Sequence, residues 1–254
     1  MRRSLLPGLL RSAQYNLNRQ QGGVALVERG RGYVKSAAGF AESSLIGWLI
    51  AGEVVQTEWF CDGRLAEFRD IKGAVEQWLQ QRGVNNARFI ASDELRGLQP
   101  GQSAQILVGG ECAGVIGRVQ PAVAATFQLD TPLFVAQLSV DLLTSYVERG
   151  RGRAVRYSKL PEYPATTRDV VMLYDAETTA DEVLQVVQRA GGKLLAECRL
   201  FDRFTGSGVA AGRVSLGVRC SLRDPKRTLT QEDADRVVAN IVSALQRRFA
   251  AEQR

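Results

Sequence analysis

The sequence predicts an α+β protein with two domains, and three observations lead to this prediction. The chain has 254 residues, 45% of them hydrophobic and 24% charged, which is enough for two cores of ordinary size. Apolar residues recur at strand spacing and at helix spacing in both halves. Residues 145–155 are rich in Arg and Gly and lack apolar periodicity, so we expect a boundary there, with domains over residues 1–145 and 157–254.

The first domain is predicted to combine helices with strands. Its expected elements are a helix over residues 5–18, strands over 24–28 and 45–51, a helix over 70–82, and strands over 105–108, 112–116 and 134–140. Leucines at helical spacing define the first helix, and Pro7 stands near its start, where a helix tolerates proline. Gly109 and Gly110 separate two short apolar strands and predict a β-hairpin, because such tight turns need positive φ.

The second domain is predicted to follow the order β-α-β-β-α-β, the ferredoxin-like arrangement. Its expected elements are a strand over residues 168–174, a helix over 179–190, strands over 194–204 and 213–222, a helix after residue 230 and a short terminal strand. Thr179 and Glu182 have the spacing of a capping box, and Thr230 is expected to cap the last helix. Gly191 and Gly192 are expected to end the first helix.

The strand over residues 213–222 suggests a binding surface. Apolar residues there alternate with the set Arg213, Ser215, Gly217, Arg219, Ser221 and Arg223. Because successive side chains of a strand point to opposite faces, this set is expected on the open face of the sheet. Arginines on such a face can contact phosphates and stack on unpaired bases, and Arg199 and Arg203 of the preceding strand can share it. The alternative is that these charges only solubilise exposed strand positions.

The composition argues against several kinds of site. The chain has no histidine, and its four cysteines form no CxxC pair, which removes Cys/His zinc patterns and histidine acid–base chemistry. We expect no metal site and no catalytic residues, core-filling cysteines, and a reducing compartment. No apolar run approaches the ~20 residues that span a bilayer, so no membrane partner is expected. The net charge of +6 is shared by both halves and favours a polyanion partner only weakly.

Three segments of the second half resemble successive signatures of one family of domains. These are YPATTRDV at residues 163–170, GGKLL at 191–195 and RLFDRFTG at 199–206. They are similar to the ferredoxin-fold anticodon-binding domain of bacterial phenylalanyl-tRNA synthetase β subunits. The similarity continues in register through residues 215–230 and covers nearly all of residues 157–254.

The first half resembles the class II synthetase-like core of the same subunit. MRRSLLPGLL at residues 1–10, DIKG at 70–73 and LQPGQSA at 98–104 carry this resemblance. Phe68-Arg69-Asp70 resembles the F-R-x-E signature of class II synthetases only in part, because Asp70 follows Arg69 directly. We expect Asp70 to be the N-cap of the next helix instead. The expected fold is therefore a mixed antiparallel class II-like domain followed by a ferredoxin-like domain.

The resemblance implies a non-catalytic part of a cytoplasmic, ATP-dependent phenylalanine–tRNA ligase. It implies an (αβ)₂ heterotetramer in which the α subunit holds ATP, Mg²⁺ and phenylalanine, so this chain is expected to bind no cofactor. Its second domain is expected to contact the anticodon stem-loop of tRNA. The candidate RNA-binding residues are Arg168, Arg199, Arg203, Arg213, Ser215, Arg219 and Arg223.

Two departures from the family leave an alternative open. The upstream tRNA-binding, editing and helical domains of the family have no counterpart in the sequence, so no proofreading hydrolysis is expected of this chain. Gln99 and Gln120 stand where the family usually has histidine. The alternative is a stand-alone RNA-binding protein, or a relaxed truncated paralogue, without a synthetase role.

Overall fold

The chain folds as two compact units, Met1–Arg156 and Tyr157–Arg254, which we call unit 1 and unit 2. The structure is a computed structural model that describes residues 2–36, 39–152, 157 and 159–253. Each unit has buried apolar clusters of its own. Among the described helices, none combines the length and the apolar character needed to cross a lipid bilayer.

Unit 1 is an antiparallel sheet between two layers of helices. Its elements are α1 (Leu6–Leu17), β1 (Gly23–Ser36), β2 (Gly39–Val55), β3 (Arg64–Leu65), α2 (Phe68–Gln81), β4 (Arg88–Ala91), β5 (Leu98–Val108), β6 (Glu111–Val119), α3 (Pro121–Thr126), β7 (Leu133–Ser139) and α4 (Val140–Glu148). The strand order is β1-β2-β7-β6-β5-β4, with β3 paired to β2. Neighbouring Val135 and Ala136 of β7 belong to different cores, the first with α1 and α3 and the second with α2 and α4.

The hairpin of β1 and β2 is much longer than the sequence predicted. Residues 24–28 and 45–51 are only its inner part. The outer part escaped prediction because it is mostly exposed and contains Gly30 and Gly32. Those glycines are needed for close approach, since a Cβ on Gly30 would lie 2.1 Å from Arg2 Nη2. The N-terminal segment crosses β1 here, and the Tyr33 N–H donates to the Arg2 carbonyl at 2.9 Å.

Helix α2 begins before the residue that was predicted to cap it. Its N-cap is Glu67, and Asp70 is the third helical residue of a capping box. The Asp70 carboxylate accepts the Glu67 N–H at 2.7 Å and both nitrogens of the Arg64 fork at 2.8 and 2.7 Å. The prediction of Asp70 as N-cap is therefore wrong, because an acidic residue three positions further on can satisfy the same backbone donor.

Helix α4 was not predicted. Residues 134–140 were expected as a strand, but β7 ends at Ser139, whose hydroxyl caps the helix by accepting the Leu142 N–H. Leu143 and Tyr146 are buried three residues apart, and the Tyr146 hydroxyl donates to Asn86 Oδ1 at 2.9 Å. A nine-residue helix with two buried residues gives too little periodicity to be recognised in the sequence.

Unit 2 has the ferredoxin-like order that the sequence predicted. Its elements are β8 (Thr166–Asp175), α5 (Ala180–Gly191), a 3-10 turn (Gly192–Leu194), β9 (Leu195–Phe204), β10 (Arg213–Leu222), α6 (Gln231–Phe249) and β11 (Glu252–Gln253). The sheet is antiparallel with the order β11-β8-β10-β9. Both predicted caps are present, with the Glu182 N–H donating to Thr179 Oγ1 at 3.3 Å and the Asp233 N–H to Thr230 Oγ1 at 3.2 Å.

Candidate nucleic-acid interface

Helices α5 and α6 pack on one face of the unit 2 sheet, and we call the opposite side the open face. The core side is fixed by buried residues of β10 such as Val218 and Cys220, which pack with Val183 and Ile241 of the helices. Directly paired residues of antiparallel strands share a face. The register of β8, β9 and β10 therefore decides which predicted residues lie on the open face.

Arg219 lies on the open face, where a carboxylate already holds it. Its Nε and Nη2 donate to the two oxygens of Asp169 at 2.8 and 2.7 Å. The hydrogen bond from Arg219 holds the pKa of Asp169 below its usual value. The guanidinium also lies over the Phe201 ring, 4.9 Å from its centroid. Arg219 is thus fixed in position, with part of its donor capacity used by the protein.

Arg199 lies near the middle of this face, and no described carboxylate binds it directly. It lies opposite Arg219 in the register of β9 and β10 and is exposed. Among the described residues it forms neither an ion pair nor a hydrogen bond through its side chain. Asp169, which is already bound by Arg219, attracts it only at longer range. The donors of the Arg199 guanidinium are therefore available to a phosphate.

Arg203 does not share the open face, so this part of the prediction is wrong. It pairs with Leu216, which is buried on the helix-covered side. The register shifts between Gly217 and Val218, where Phe201 of β9 is the extra residue of a β-bulge. A bulge adds one residue to one strand, so Arg199 and Arg203, an even number of positions apart, end on opposite faces.

Arg168 also lies away from the open face. It is paired with Cys220, which is buried in the core on the helix-covered side. Its Nε donates to Oδ1 of Asp235 on α6 at 3.2 Å. Its position on the helix-covered side and its ion pair with Asp235 give Arg168 a structural role.

Arg213 and Arg223 lie at opposite ends of β10. Arg213 donates to Asp175 and Glu252, each at 3.2 Å, and only 24% of its side chain is exposed. Two carboxylates around one guanidinium make this end of the face acidic. The backbone N–H of Arg223 donates to the Leu194 carbonyl at 2.8 Å. The side-chain Nε of Arg223 is buried without a partner among the described residues.

Ser215 is fully buried, which corrects its expected exposure. It lies between Leu173 of β8 and Phe204 of β9, and its Oγ has no hydrogen-bond partner in the described structure. Alternation placed Ser215 on the correct face, but alternation alone does not show what covers that face. Large neighbours on both adjacent strands enclose the small side chain.

Two phenylalanines form the centre of the open face, and sequence reasoning missed both. Phe201 and Phe204 are 43% and 37% exposed. The Phe201 ring lies directly over Gly217, where a Cβ would be 2.9 Å from Phe201 Cζ. A glycine opposite an aromatic-rich strand was the available signal, since glycine in a strand often marks such close approach. Aromatic rings beside arginines can stack on unpaired bases while the arginines contact phosphates.

The cysteines occupy two different environments. Cys220 is buried and Cys198 is half-buried opposite it, whereas Cys61 and Cys112 are exposed. Burial raises the pKa of Cys220 to about 11 and also raises the pKa of Cys198. The expectation of core-filling cysteines is therefore wrong for Cys61 and Cys112. No group of three or more potential metal ligands occurs among the described residues.

Two family models together match most of the chain. The phenylalanyl tRNA synthetase beta chain CLM domain matches residues 1–140. The chain belongs to the phenylalanyl-tRNA synthetase beta chain family. The ferredoxin-fold anticodon binding domain matches residues 161–254, in agreement with the fold of unit 2. The family membership and the fold class expected from the sequence are thus confirmed.

Curated members of this family match along the whole chain. The phenylalanine–tRNA ligase beta subunits of Pseudomonas fluorescens Pf-5 and Methylococcus capsulatus are both 32% identical to it, over 99% and 100% of this chain. The subunit of Symbiobacterium thermophilum is 37% identical over 96% of it. The alignments cover 31%, 31% and 27% of the three relatives, so the chain spans less than a third of their length.

One solved structure shows a weak overall similarity. A pyrrolysyl tRNA synthetase from Desulfitobacterium hafniense matches 62% of this chain and 55% of its own, with a TM-score of 0.46 and 14% sequence identity. This similarity is too low to support an argument about fold or function.

Proposed function

We propose that the chain acts as the C-terminal part of a phenylalanine–tRNA ligase β subunit in the cytoplasm. In this proposal unit 2 binds the anticodon stem-loop of tRNA, and unit 1 assembles with the α subunit in an (αβ)₂ heterotetramer. The α subunit holds ATP and Mg²⁺ and attaches phenylalanine. This chain supports that reaction by positioning tRNA and contributes no catalytic or editing residue.

The observation that carries the RNA-binding part is the open face of unit 2. Phe201 and Phe204 are half-exposed rings on which unpaired bases can stack. In the part of the chain that the structure describes, no carboxylate contacts Arg199 directly, and Asp169 holds Arg219 beside Phe201. A backbone phosphate of RNA can therefore accept hydrogen bonds from the available guanidinium of Arg199 and from the already oriented guanidinium of Arg219.

The contact set that we propose differs from the one expected from the sequence. Arg199, Phe201, Phe204 and Arg219 form its centre, with Arg223 at one margin. Arg213 contributes less because Asp175 and Glu252 surround it. Arg168, Arg203 and Ser215 are outside the set, the first two on the other face and the third buried.

The edge strand β1 supports assembly of unit 1 with a partner. It has 14 residues and is the last strand of the described sheet order, paired to β2 on one side. Arg2 already pairs with Tyr33 and Arg31 of this strand, and the rest of such a long edge exposes backbone donors and acceptors that readily pair with another chain. Val27 and Val34 of this strand are 62% and 51% exposed and point to opposite faces, so a partner that pairs with the edge can cover apolar side chains on both sides of it.

Co-expression with the α subunit of its own organism tests the proposal. We expect a complex by size-exclusion chromatography with light scattering, and we expect Val27→Glu with Val34→Glu to weaken it, because charges oppose burial of that edge. Ile90→Glu, at an exposed position on β4 at the opposite edge of the sheet, is the matched control and should leave the complex intact. Failure of the unaltered chain to bind the α subunit while it binds tRNA would favour the stand-alone RNA-binding alternative.

A further inference from the structure

A cavity of about 660 Å³ opens on the α2 side of the unit 1 sheet. Residues at the start of α2 and residues of β4, β5, β6 and β7 line it. Its volume is within the range of pockets that bind small molecules. Every lining residue belongs to unit 1.

The walls of the cavity are mostly flat and apolar. Phe68, Phe89 and Phe134 contribute rings, with Pro132 and Ala104 between them. The rings come from three different elements, α2, β4 and β7, and line one open cavity. Aromatic walls of this kind favour a planar, aromatic ligand over a flexible or strongly hydrated one.

Arg118 of β6 is a charged residue of this cavity that no described carboxylate contacts. It lies opposite Phe134 in the register of β6 and β7, on the face that also carries the buried Ile116. It is half-buried, and among the described residues its side chain forms no ion pair or hydrogen bond. A guanidinium taken partly out of water among aromatic rings is costly unless an anion pairs with it.

The other charged residues of the cavity are already paired. Lys72 binds Glu76 at 2.5 Å and lies over the Phe89 ring, 4.7 Å from its centroid. Glu67 binds Arg69 at 3.0 Å and takes part in the capping box of α2. The unbalanced charge in the cavity is therefore the positive charge of Arg118, with Lys72 as a second cation nearby.

We propose that this cavity binds a small planar aromatic molecule that carries a phosphate or carboxylate group. The aromatic part lies among Phe68, Phe89 and Phe134. The anionic group accepts the fork of hydrogen bonds from Arg118, a geometry that guanidinium groups form with both kinds of anion. The proposal does not depend on RNA binding by unit 2 or on assembly with a partner.

Titration calorimetry on the full chain tests this proposal with three probes. AMP and 4-hydroxybenzoate carry the two kinds of anion, and adenosine carries none. We expect at least one of the two anions to bind with a dissociation constant of about 1 mM or lower. If AMP is the better ligand, adenosine should bind about tenfold more weakly than AMP, because it lacks the phosphate. The anion that binds more tightly shows whether the cavity prefers a phosphate or a carboxylate group.

Two variants of the cavity and one control decide the outcome. Arg118→Gln should weaken binding of the preferred anion by about tenfold or more. Ala91→Trp places a large side chain in the cavity from an exposed lining position and should abolish binding. This variant still tests the proposal if Arg118→Gln fails to fold. Arg96→Gln, an exposed arginine outside the lining, should bind like the unaltered chain. Absence of binding by both anions, or binding that survives both cavity variants, would overturn the proposal.

Discussion

At the scale of single residues, the arginines of unit 2 differ mainly in whether the protein already occupies them. Arg213 is surrounded by two carboxylates, and Arg219 is held by one. Arg199 has no such direct partner among the described residues. A phosphate has to compete with each internal carboxylate, so we expect Arg199 to contribute more to RNA affinity than its paired neighbours.

The Arg219–Asp169 pair predicts a pH-dependent stability of the open face. The pKa of Asp169 is lower in the folded state than its ordinary value of 3.8. The pair therefore stabilises the fold above that value and loses its contribution as pH falls through the lower, folded-state pKa. We expect Asp169→Asn to expose β8 and β10 to faster hydrogen exchange at neutral pH, with the difference narrowing below about pH 4.

Asp202→Asn is the matched control for this pH effect. Asp202 is an exposed carboxylate paired with Gly217 on the same face, and its side chain has no ion-pair partner among the described residues. Its replacement should leave the exchange profile of β8 and β10 close to that of the unaltered chain. A difference for Asp169→Asn that stays constant over the whole pH range would contradict the assigned role of the pair.

The buried thiol and the two exposed thiols are predicted to react at different rates. With a pKa of about 11, Cys220 is a thiolate in only about one molecule in a thousand at pH 8. Cys61 and Cys112 are exposed and are expected to react with iodoacetamide quickly. Mass spectrometry of labelled peptides measures the four rates. Labelling of Cys220 as fast as that of Cys61 would show that the core of unit 2 opens readily.

Single residues also show which features of the site could not be predicted from the sequence. Period-two alternation correctly assigned Arg219 and Ser215 to one face. It could not predict that large neighbours bury Ser215, because coverage depends on side chains of two other strands. Neither could it predict that Asp169, distant in sequence, holds Arg219. Pairing between strands is tertiary information that one sequence does not express locally.

At the scale of secondary-structure elements, the bulge in β9 has the largest consequence for the candidate site. It places Arg199 on the open face and Arg203 on the other. Phe201 does not signal the bulge, since it is an ordinary strand residue, and the available signal was Gly217 on the facing strand, because glycine within a strand often marks a bulge. The caps at Thr179 and Thr230 were predictable because a capping box depends on two residues three positions apart.

Two glycines of unit 1 give opposite predictions for the same change to alanine. Gly73 lies on the exposed side of α2, and a Cβ added there would meet no described atom within 4 Å beyond the neighbouring backbone of the helix, so Gly73→Ala should stabilise unit 1 by about 0.5–1 kcal/mol. A Cβ on Gly114 of β6 would lie 2.0 Å from the Gln137 carbonyl oxygen of β7. Gly114→Ala should therefore destabilise unit 1 by about 1–3 kcal/mol.

Denaturant unfolding followed by tryptophan fluorescence measures both changes. All three tryptophans of the chain lie in unit 1, and Trp48 and Trp78 form an edge-to-face pair near its core. The signal therefore reports on the unit that carries both glycines. Equal stability of the two variants would contradict the close approach of β6 and β7 described for Gly114.

At the scale of the whole molecule, the second half was more predictable from the sequence than the first. In unit 2 the caps, glycine stops and alternating strands all indicate one ferredoxin-like order, which the structure has. In unit 1 the outer hairpin and α4 bury few residues, so their apolar periodicity is weak. The family resemblance rests on short segments in both halves, and those segments depend less on periodicity than on particular residues.

The two units are suited to different partners. Unit 2 offers aromatic rings and an available guanidinium to RNA, whereas unit 1 offers a long edge strand and exposed apolar residues to another protein. In the function that we propose, the catalytic step belongs to neither unit. A variant of the open face should therefore change tRNA affinity without changing assembly, and a variant of the β1 edge should do the reverse.

The central claim is that the open face of unit 2 binds the anticodon stem-loop, and fluorescence anisotropy with that labelled RNA at fixed salt tests it most directly. The comparison is between Arg199→Gln and Arg203→Gln, two exposed arginines of one strand on opposite faces. We expect Arg199→Gln to weaken binding by about tenfold and Arg203→Gln to change it by less than about twofold. Equal effects of the two variants, or no effect of Arg199→Gln on a folded protein, would contradict the claim.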